Sequence, residues 1–262
     1  MTSIGERAFK NCSNLQNITN LGLVNIIQDG AFSGCTVLET AVLPSNTSII
    51  KGYAFTDCMN LATISGLTQI TELGGSAFRG CSSLTSIGLT TLNVQKVESH
   101  IFDGCSQLTG ELNFPNATEL DIGDYGGQFA GCSKLTKITF GHIDRIGYGS
   151  EWSNARGSFR NCSSLKYVDL GDSLSKIAAW SFRGCTNLKA IVIRSTTPPT
   201  LSNWNFTTNY TSYDSGFAGD EKTFDAWFGN PTVNIYVPDS AVNTYKESLG
   251  FDMSPENILP LS

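Results

Sequence analysis

Phe32-Ser33-Gly34-Cys35, Phe55-Thr56-Asp57-Cys58 and Phe78-Arg79-Gly80-Cys81 repeat one phrase at a fixed interval. The same Phe-x-x-Cys-x-x-Leu frame opens at Phe9, Phe102, Phe129, Phe159 and Phe182, so every cysteine of the chain stands in it. Successive cysteines are 23, 23, 23, 24, 27, 30 and 23 residues apart. A period of this length is the signature of a stacked repeat array, and eight copies exclude coincidence.

Outward from the frame, each unit reads Cys-x-x-Leu-x-x-Ile, a turn, then Ile-Gly-x-x-Ala-Phe. The Leu-x-x-Ile part (Leu15 to Ile18, Leu61 to Ile64, Leu84 to Ile87, Leu135 to Ile138) is expected to be a short strand on one face. The Ala-Phe-x-x-Cys part (Ala31-Phe32, Ala54-Phe55, Ala77-Phe78) is expected to be a turn of helix or 3-10 helix on the opposite face. One coil cannot bury its own Leu, Ile, Ala, Phe and Cys, whereas stacked coils share one core. The expected fold is therefore an α/β repeat: a leucine-rich-repeat solenoid of eight coils over residues 1–194, with a C-terminal capping region over 195–262. Parallel strands about 4.8 Å apart make it a rod on the order of 40 Å long.

These residues carry a family resemblance. The unit resembles the 23-residue BspA-like class of leucine-rich repeat over roughly residues 4–194. The resemblance implies a surface or secreted bacterial protein, several of whose relatives are adhesins. It implies a binding role toward a host or bacterial surface protein or a glycan, and it names no ligand. The tail pattern Thr197-Pro198-Pro199, then Ile235-Tyr236-Val237-Pro238, then Ile258-Leu259-Pro260, is similar to tails that close family members from Bacteroidetes-like bacteria. A solenoid needs such a cap over its last open core layer. Residues 203–230 insert Trp204, Phe206, Tyr210, Tyr213, Phe217, Phe224, Trp227 and Phe228, read either as cap core or as a ligand-facing surface.

Composition narrows the partners. The chain has 262 residues and a net charge of -6, and no Lys/Arg cluster stands out against that balance, so nucleic acid is not an expected partner. No stretch approaches the roughly 18 apolar residues that cross a bilayer. Met1-Thr2-Ser3 runs straight into patterned sequence, leaving an intracellular chain or one whose leader has been removed. The family resemblance implies the second, with an extracellular or cell-surface location. Because Met1 enters mid-coil, the first strand has no visible cap. Fraying of residues 1 to about 20, or end-to-end association of an otherwise monomeric chain, is expected, with more sequence ahead of it.

Enzyme chemistry finds little to work with, and neither cofactor nor metal is expected. One cysteine per coil lacks the clustered spacing of a zinc site, and identical positions in every coil read as small, buried, reduced filler. Serine there is expected to be worse than alanine, because it buries a hydroxyl. His100 and His142 belong to no nucleophile motif, and Glu119, Asp121 and Asp124 read as solvated loop acids.

Two surfaces are candidates for binding. In coils six and seven the segment from Ile-Gly to Phe runs from Ile122 to Phe129 and from Ile146 to Phe159, against Ile4 to Phe9 in a regular coil. Insertions at one point of adjacent coils must emerge side by side. They carry Asp124, Tyr125, Tyr148, Glu151, Trp152 and Arg156, and Trp180 follows one coil later. These are residue types that dominate interfaces. The alternative is two loops that pack on each other. The second candidate is the outer strand face, small and polar except where Lys137, Lys166, Tyr167 and Lys189 gather at its C-terminal end.

Overall fold

The computed structural model describes residues 2–121, 127–146, 157–178, 181–202, 233–248 and 255–262. The expected strand face is present and parallel throughout. Asn17–Ile18, Thr40–Val42 and Thr63–Ser65 form its first run; Gly110–Phe114, Leu135–Phe140, Tyr167–Asp169 and Ala190–Val192 form its second. Asn234–Val237 and Ile258–Pro260 of the tail add two further rungs to the second run, so the cap prolongs this front ladder.

Each coil also contributes a second strand, at the Ile-Gly segment that follows the expected turn. Ser3–Ile4, Ile26–Ile27, Ile49–Ile50 and Glu72–Leu73 pair in register, and Lys96–Val97 pairs Glu119–Leu120. Arg145–Ile146, Lys176–Ala178 and Thr200–Ser202 complete this rear ladder. Each of these segments needs only one buried residue per coil, such as Ile27, Ile50 or Leu73, with its neighbour turned outward.

The third face corrects the expected helical turns. Among the described residues no coil contains an α- or 3-10 helix; those elements occur only in the tail, as Val242–Ser248, Asp239–Ala241 and Pro255–Asn257. The cause is a pair of left-handed residues in each of the first six coils. Tyr53 and Asp57 have φ of 57° and 59°, and Ser76 and Gly80 have 56° and 73°. Such residues interrupt a right-handed helix and re-aim the peptide N–H groups. Those donors reach the next coil instead: the N–H of Phe9, Phe32 and Phe55 bonds the carbonyl of Ala31, Ala54 and Ala77 at 2.8 Å each. The turn face is thus a third ladder of inter-coil hydrogen bonds. Its signal was in the sequence, since the residue before each cysteine is Asn11, Gly34, Asp57, Gly80, Gly104, Gly131, Asn161 or Gly184. Gly, Asn and Asp are the types that accept the left-handed conformation.

Inside the three ladders runs a column of phenylalanines. Phe32 and Phe55 stack at 5.2 Å between ring centroids, Phe55 and Phe78 at 5.5 Å, and Phe159 and Phe182 at 5.1 Å. Beside it stands the cysteine column, all eight residues being free thiols. From Cys35 to Cys185, each thiol donates to the carbonyl of the phenylalanine one coil earlier, at 3.0–3.2 Å. Burial pushes the thiols of Cys81, Cys105, Cys132 and Cys162 well above their ordinary range, so they remain protonated donors.

The cap closes over this core through Tyr245, which is fully buried. Its hydroxyl donates to the carbonyls of Ser195 and Thr197 at 2.9 and 3.1 Å, tying the helix to the Thr-Pro-Pro segment. The aromatic stretch between 203 and 230 lies outside the described residues.

Candidate binding site

Asp124, Tyr125, Tyr148, Glu151, Trp152, Arg156 and Trp180 all lie outside the described residues. What the structure places is the roots of the insertions that carry them. The N–H of Phe129 bonds Ser158 O and that of Phe159 bonds Ser181 O, both at 2.9 Å. Both insertions therefore return to neighbouring rungs of the turn ladder, and the residue after Trp180 forms the next rung. The first insertion also starts earlier than the sequence suggested. Leu120 pairs with Val97 and fills the core position, and the Asp121 N–H still bonds Val97 O at 2.8 Å, so the departure from the regular coil begins after Asp121.

The roots differ chemically from the regular coils. Where those place Ala31, Ala54 and Ala77, the later coils place Gln128, Ser158 and Ser181, all fully buried. Gln128 Nε2 donates to the Asp121 carbonyl, while among the described residues its Oε1 has no hydrogen-bond partner. The side chain of Asp121 joins a charged cluster across two coils. Lys96 Nζ lies 3.3 Å from Glu98, 3.5 Å from Asp121 and 3.7 Å from Glu119. Partial burial, together with a shared hydrogen bond to Asp121, pushes the Glu98 carboxyl up to about 7, against the pull of Lys96.

The front ladder shows a second irregularity. Gly110 (φ 83°) is an extra residue in its coil, and pairing with the next strand shifts register there, from Leu135↔Gly110 to Lys137↔Glu111. The ladder opens on the N-terminal side of this bulge, leaving a shallow cleft of about 350 Å³ lined by residues 86–90 and 108–112. From its rim a polar chain runs toward the cap. Glu111 pairs with Lys137 at 3.1 Å, and the Lys137 ammonium lies 5.5 Å from the centre of the Tyr167 ring. Asp169 beyond it is gripped by Arg194, at 2.6 Å from Nη2 and 3.1–3.2 Å from Nε. The four residues singled out on this face, Lys137, Lys166, Tyr167 and Lys189, do stand together.

The histidines are engaged elsewhere: His100 Nδ1 is 3.0 Å from Asp103 Oδ2, and His142 Nδ1 is 2.8 Å from Asp172 Oδ1. Among the described residues no group of three or more His, Cys, Asp or Glu is placed to hold a metal ion. No helix among them is long and apolar enough to cross a membrane.

The model of the BspA type leucine rich repeat region matches the chain in six copies, over residues 2–126, 69–151 and 129–216. A comparison with curated proteins gives no significant match. Among solved structures, a leucine-rich repeat protein from Bacteroides ovatus is 26% identical, with a TM-score of 0.42, over 78% of this chain and 64% of that one. The Treponema pallidum leucine-rich repeat protein is 24% identical, with a TM-score of 0.38, over 66% of this chain and 65% of that one. A leucine-rich cell surface protein from Faecalibacterium prausnitzii is 18% identical, with a TM-score of 0.34, over 76% of this chain and 73% of that one. The chain thus spans 64% of the length of the Bacteroides ovatus protein it resembles.

Proposed function

Because the chain belongs to the BspA-type leucine-rich repeat family, we propose that it is a non-catalytic binding module of a surface or secreted bacterial protein. Its ligand is a host or bacterial protein or a glycan, held by the paired insertions of coils six and seven with Trp180 beside them. One observation carries this reading. Both insertions return to adjacent rungs of the turn ladder at Gln128 and Ser158, so their roots lie on one flank about one strand spacing apart. Tyr125, Tyr148 and Trp152 then offer flat faces to a sugar ring or partner side chain. Asp124, Glu151 and Arg156 supply orienting hydrogen bonds.

The experiment is a glycan and matrix-protein array probed with the purified chain, followed by a variant with residues 122–126 and 147–156 cut to regular-coil length. Loss of binding with a nearly unchanged melting temperature is expected, since the shared core carries the stability. Trp152→Ala or Trp180→Ala should each weaken binding by about 1–2 kcal/mol. Unchanged affinity in the shortened variant moves the site to the front ladder or the tail. An array with no ligand at all leaves a structural spacer.

A further inference from the structure

The chain's charge is unevenly distributed. Residues 134–194 carry ten Lys and Arg against four Asp and Glu, a net +6, while the rest carry seven against nineteen, a net -12. The basic residues never run together in the sequence: they recur about once or twice per face per coil. Stacking converts that spacing into columns. Lys176 stacks on Arg145 in the rear ladder, Arg183 on Arg160 in the turn ladder, and Lys189 on Lys166 in the front ladder.

The front column differs from the other two. Arg145 is bonded to Asp144 at 2.7 Å, and Arg183 has a partner within the protein. Lys166 and Lys189 are exposed, and among the described residues neither side chain has a hydrogen-bond or ion-pair partner. Lys166 N–H bonds Thr136 O at 2.8 Å and Lys189 N–H bonds Lys166 O at 3.0 Å, so the two sit on successive rungs. Like charges directly opposite on adjacent strands destabilise a sheet, and here nothing offsets them. Tyr167 and Lys137 lie alongside, and Lys134, one flank over, reaches only the neutral Gln107 at 2.5 Å.

We infer that this strip, made of Lys166 and Lys189 with Lys137 and Tyr167, is a binding site for an extended anionic polysaccharide, carboxylated or sulfated, laid along the solenoid axis. The inference rests on the reading of the chain as a binding module and places a ligand of stated chemistry on a different face. Three features select a polysaccharide. The ammonium groups line the axis of a sheet face, which suits a linear polymer that presents charge at intervals. Glu111 stands at the edge of the strip, where its exposed carboxylate can accept from sugar hydroxyls. Only Tyr167 offers an aromatic face in it, too few for the base stacking that holds single-stranded nucleic acid.

The test measures binding of heparin, polygalacturonate, neutral dextran of similar length and an oligothymidine by titration calorimetry in about 0.1 M salt. Binding of heparin or polygalacturonate but not dextran is expected, weakening as salt rises. Lys166→Glu with Lys189→Glu should reduce that affinity by about tenfold or more, and the milder Lys→Gln pair by several-fold. Arg145→Glu with Lys176→Glu makes the same charge change on the rear ladder and should leave affinity within about threefold. Equal losses in the two Glu pairs would reduce the effect to the general field of the basic coils and overturn the site. So would tighter binding of oligothymidine, or no binding of either polyanion. The loop-shortened chain should bind the polyanion as well as the intact one, and loss there would also overturn the strip. An array ligand lost on loop shortening, with the polyanions inert, defeats this inference alone.

Discussion

The first five coils and the next three share one spine yet differ in everything mounted on it. From Phe32 to Phe182 the rings stack within 5.1–6.0 Å of one another, and the Phe-to-Cys thiol bonds do not lapse at either insertion. Around that spine coils two to four place alanine against the core and the fifth Ile101, whereas the later ones place Gln128, Ser158 and Ser181 and coils six and seven lengthen the chain between rungs. The early coils are acidic and the later ones basic. The contrast shows what a stacked repeat tolerates. Positions whose side chains touch both neighbouring coils are held fixed, and the segment between the rear strand and the Phe takes up additions, because its backbone bonds are made only at the return point.

The sharpest way to break this comparison is to delete one ring in each half. Phe78→Ala and Phe159→Ala remove fully buried rings stacked on both sides and should each cost about 3–5 kcal/mol in urea denaturation. Phe9, at 38% exposure and stacked only on Phe32 among the described rings, should cost much less. If Phe159→Ala proves as cheap as Phe9→Ala, the later coils do not share the early coils' core and the common spine is wrong.

The junction between the halves gives a smaller, pH-dependent effect. Glu98 faces Lys96 on its own coil and Asp121 on the next, Glu119 lies near the same Lys96, and the backbone of Gly75 lies behind Glu98. Its carboxyl is raised to about 7, so its contribution is fully present below the usual carboxylate range and lost as pH rises through about 7. Between pH of about 4.5 and 8 the chain should lose about 1–2 kcal/mol from this residue, after allowance for its partial exposure. Glu98→Gln should remove that part of the slope in melts across the range. An identical slope in the variant would show that the junction carboxylates titrate independently.

The smallest effect concerns the thiols. Cys81→Ala should cost about 1 kcal/mol, because the Phe55 carbonyl keeps the Cys58 N–H at 3.2 Å when the Cys81 thiol is gone. The sequence alone made serine the worse replacement. The structure supplies its hydroxyl with an acceptor, so Cys81→Ser should be no less stable than Cys81→Ala. A serine variant clearly below alanine would mean that the column is filler and that its hydrogen bonds are incidental.

The fold was legible because each coil repeats the same burial problem. Eight Phe-x-x-Cys frames at one period fixed the stacking, the core residues and the parallel front strands. The helical turns were misread because Ala-Phe at that spacing suits a helix, and the left-handed Asn, Gly and Asp were not weighed against it. Of the proposed site, the sequence named the insertions and their aromatic residues. Where they join the coil was a matter of register, set by Leu120, which pairs with Val97 and fills the core position.

The amino-acid sequence by itself determined the solenoid, since apolar residues at a fixed period have no other way to leave water. The tertiary structure alone decided what the spacing brings together. It closed a third hydrogen-bonded ladder, opened the front ladder at Gly110, and drew Lys96, Glu98 and Asp121 together across two coils. Those outcomes depend on distances across coils, and a linear pattern encodes such distances only after the register of stacking is known.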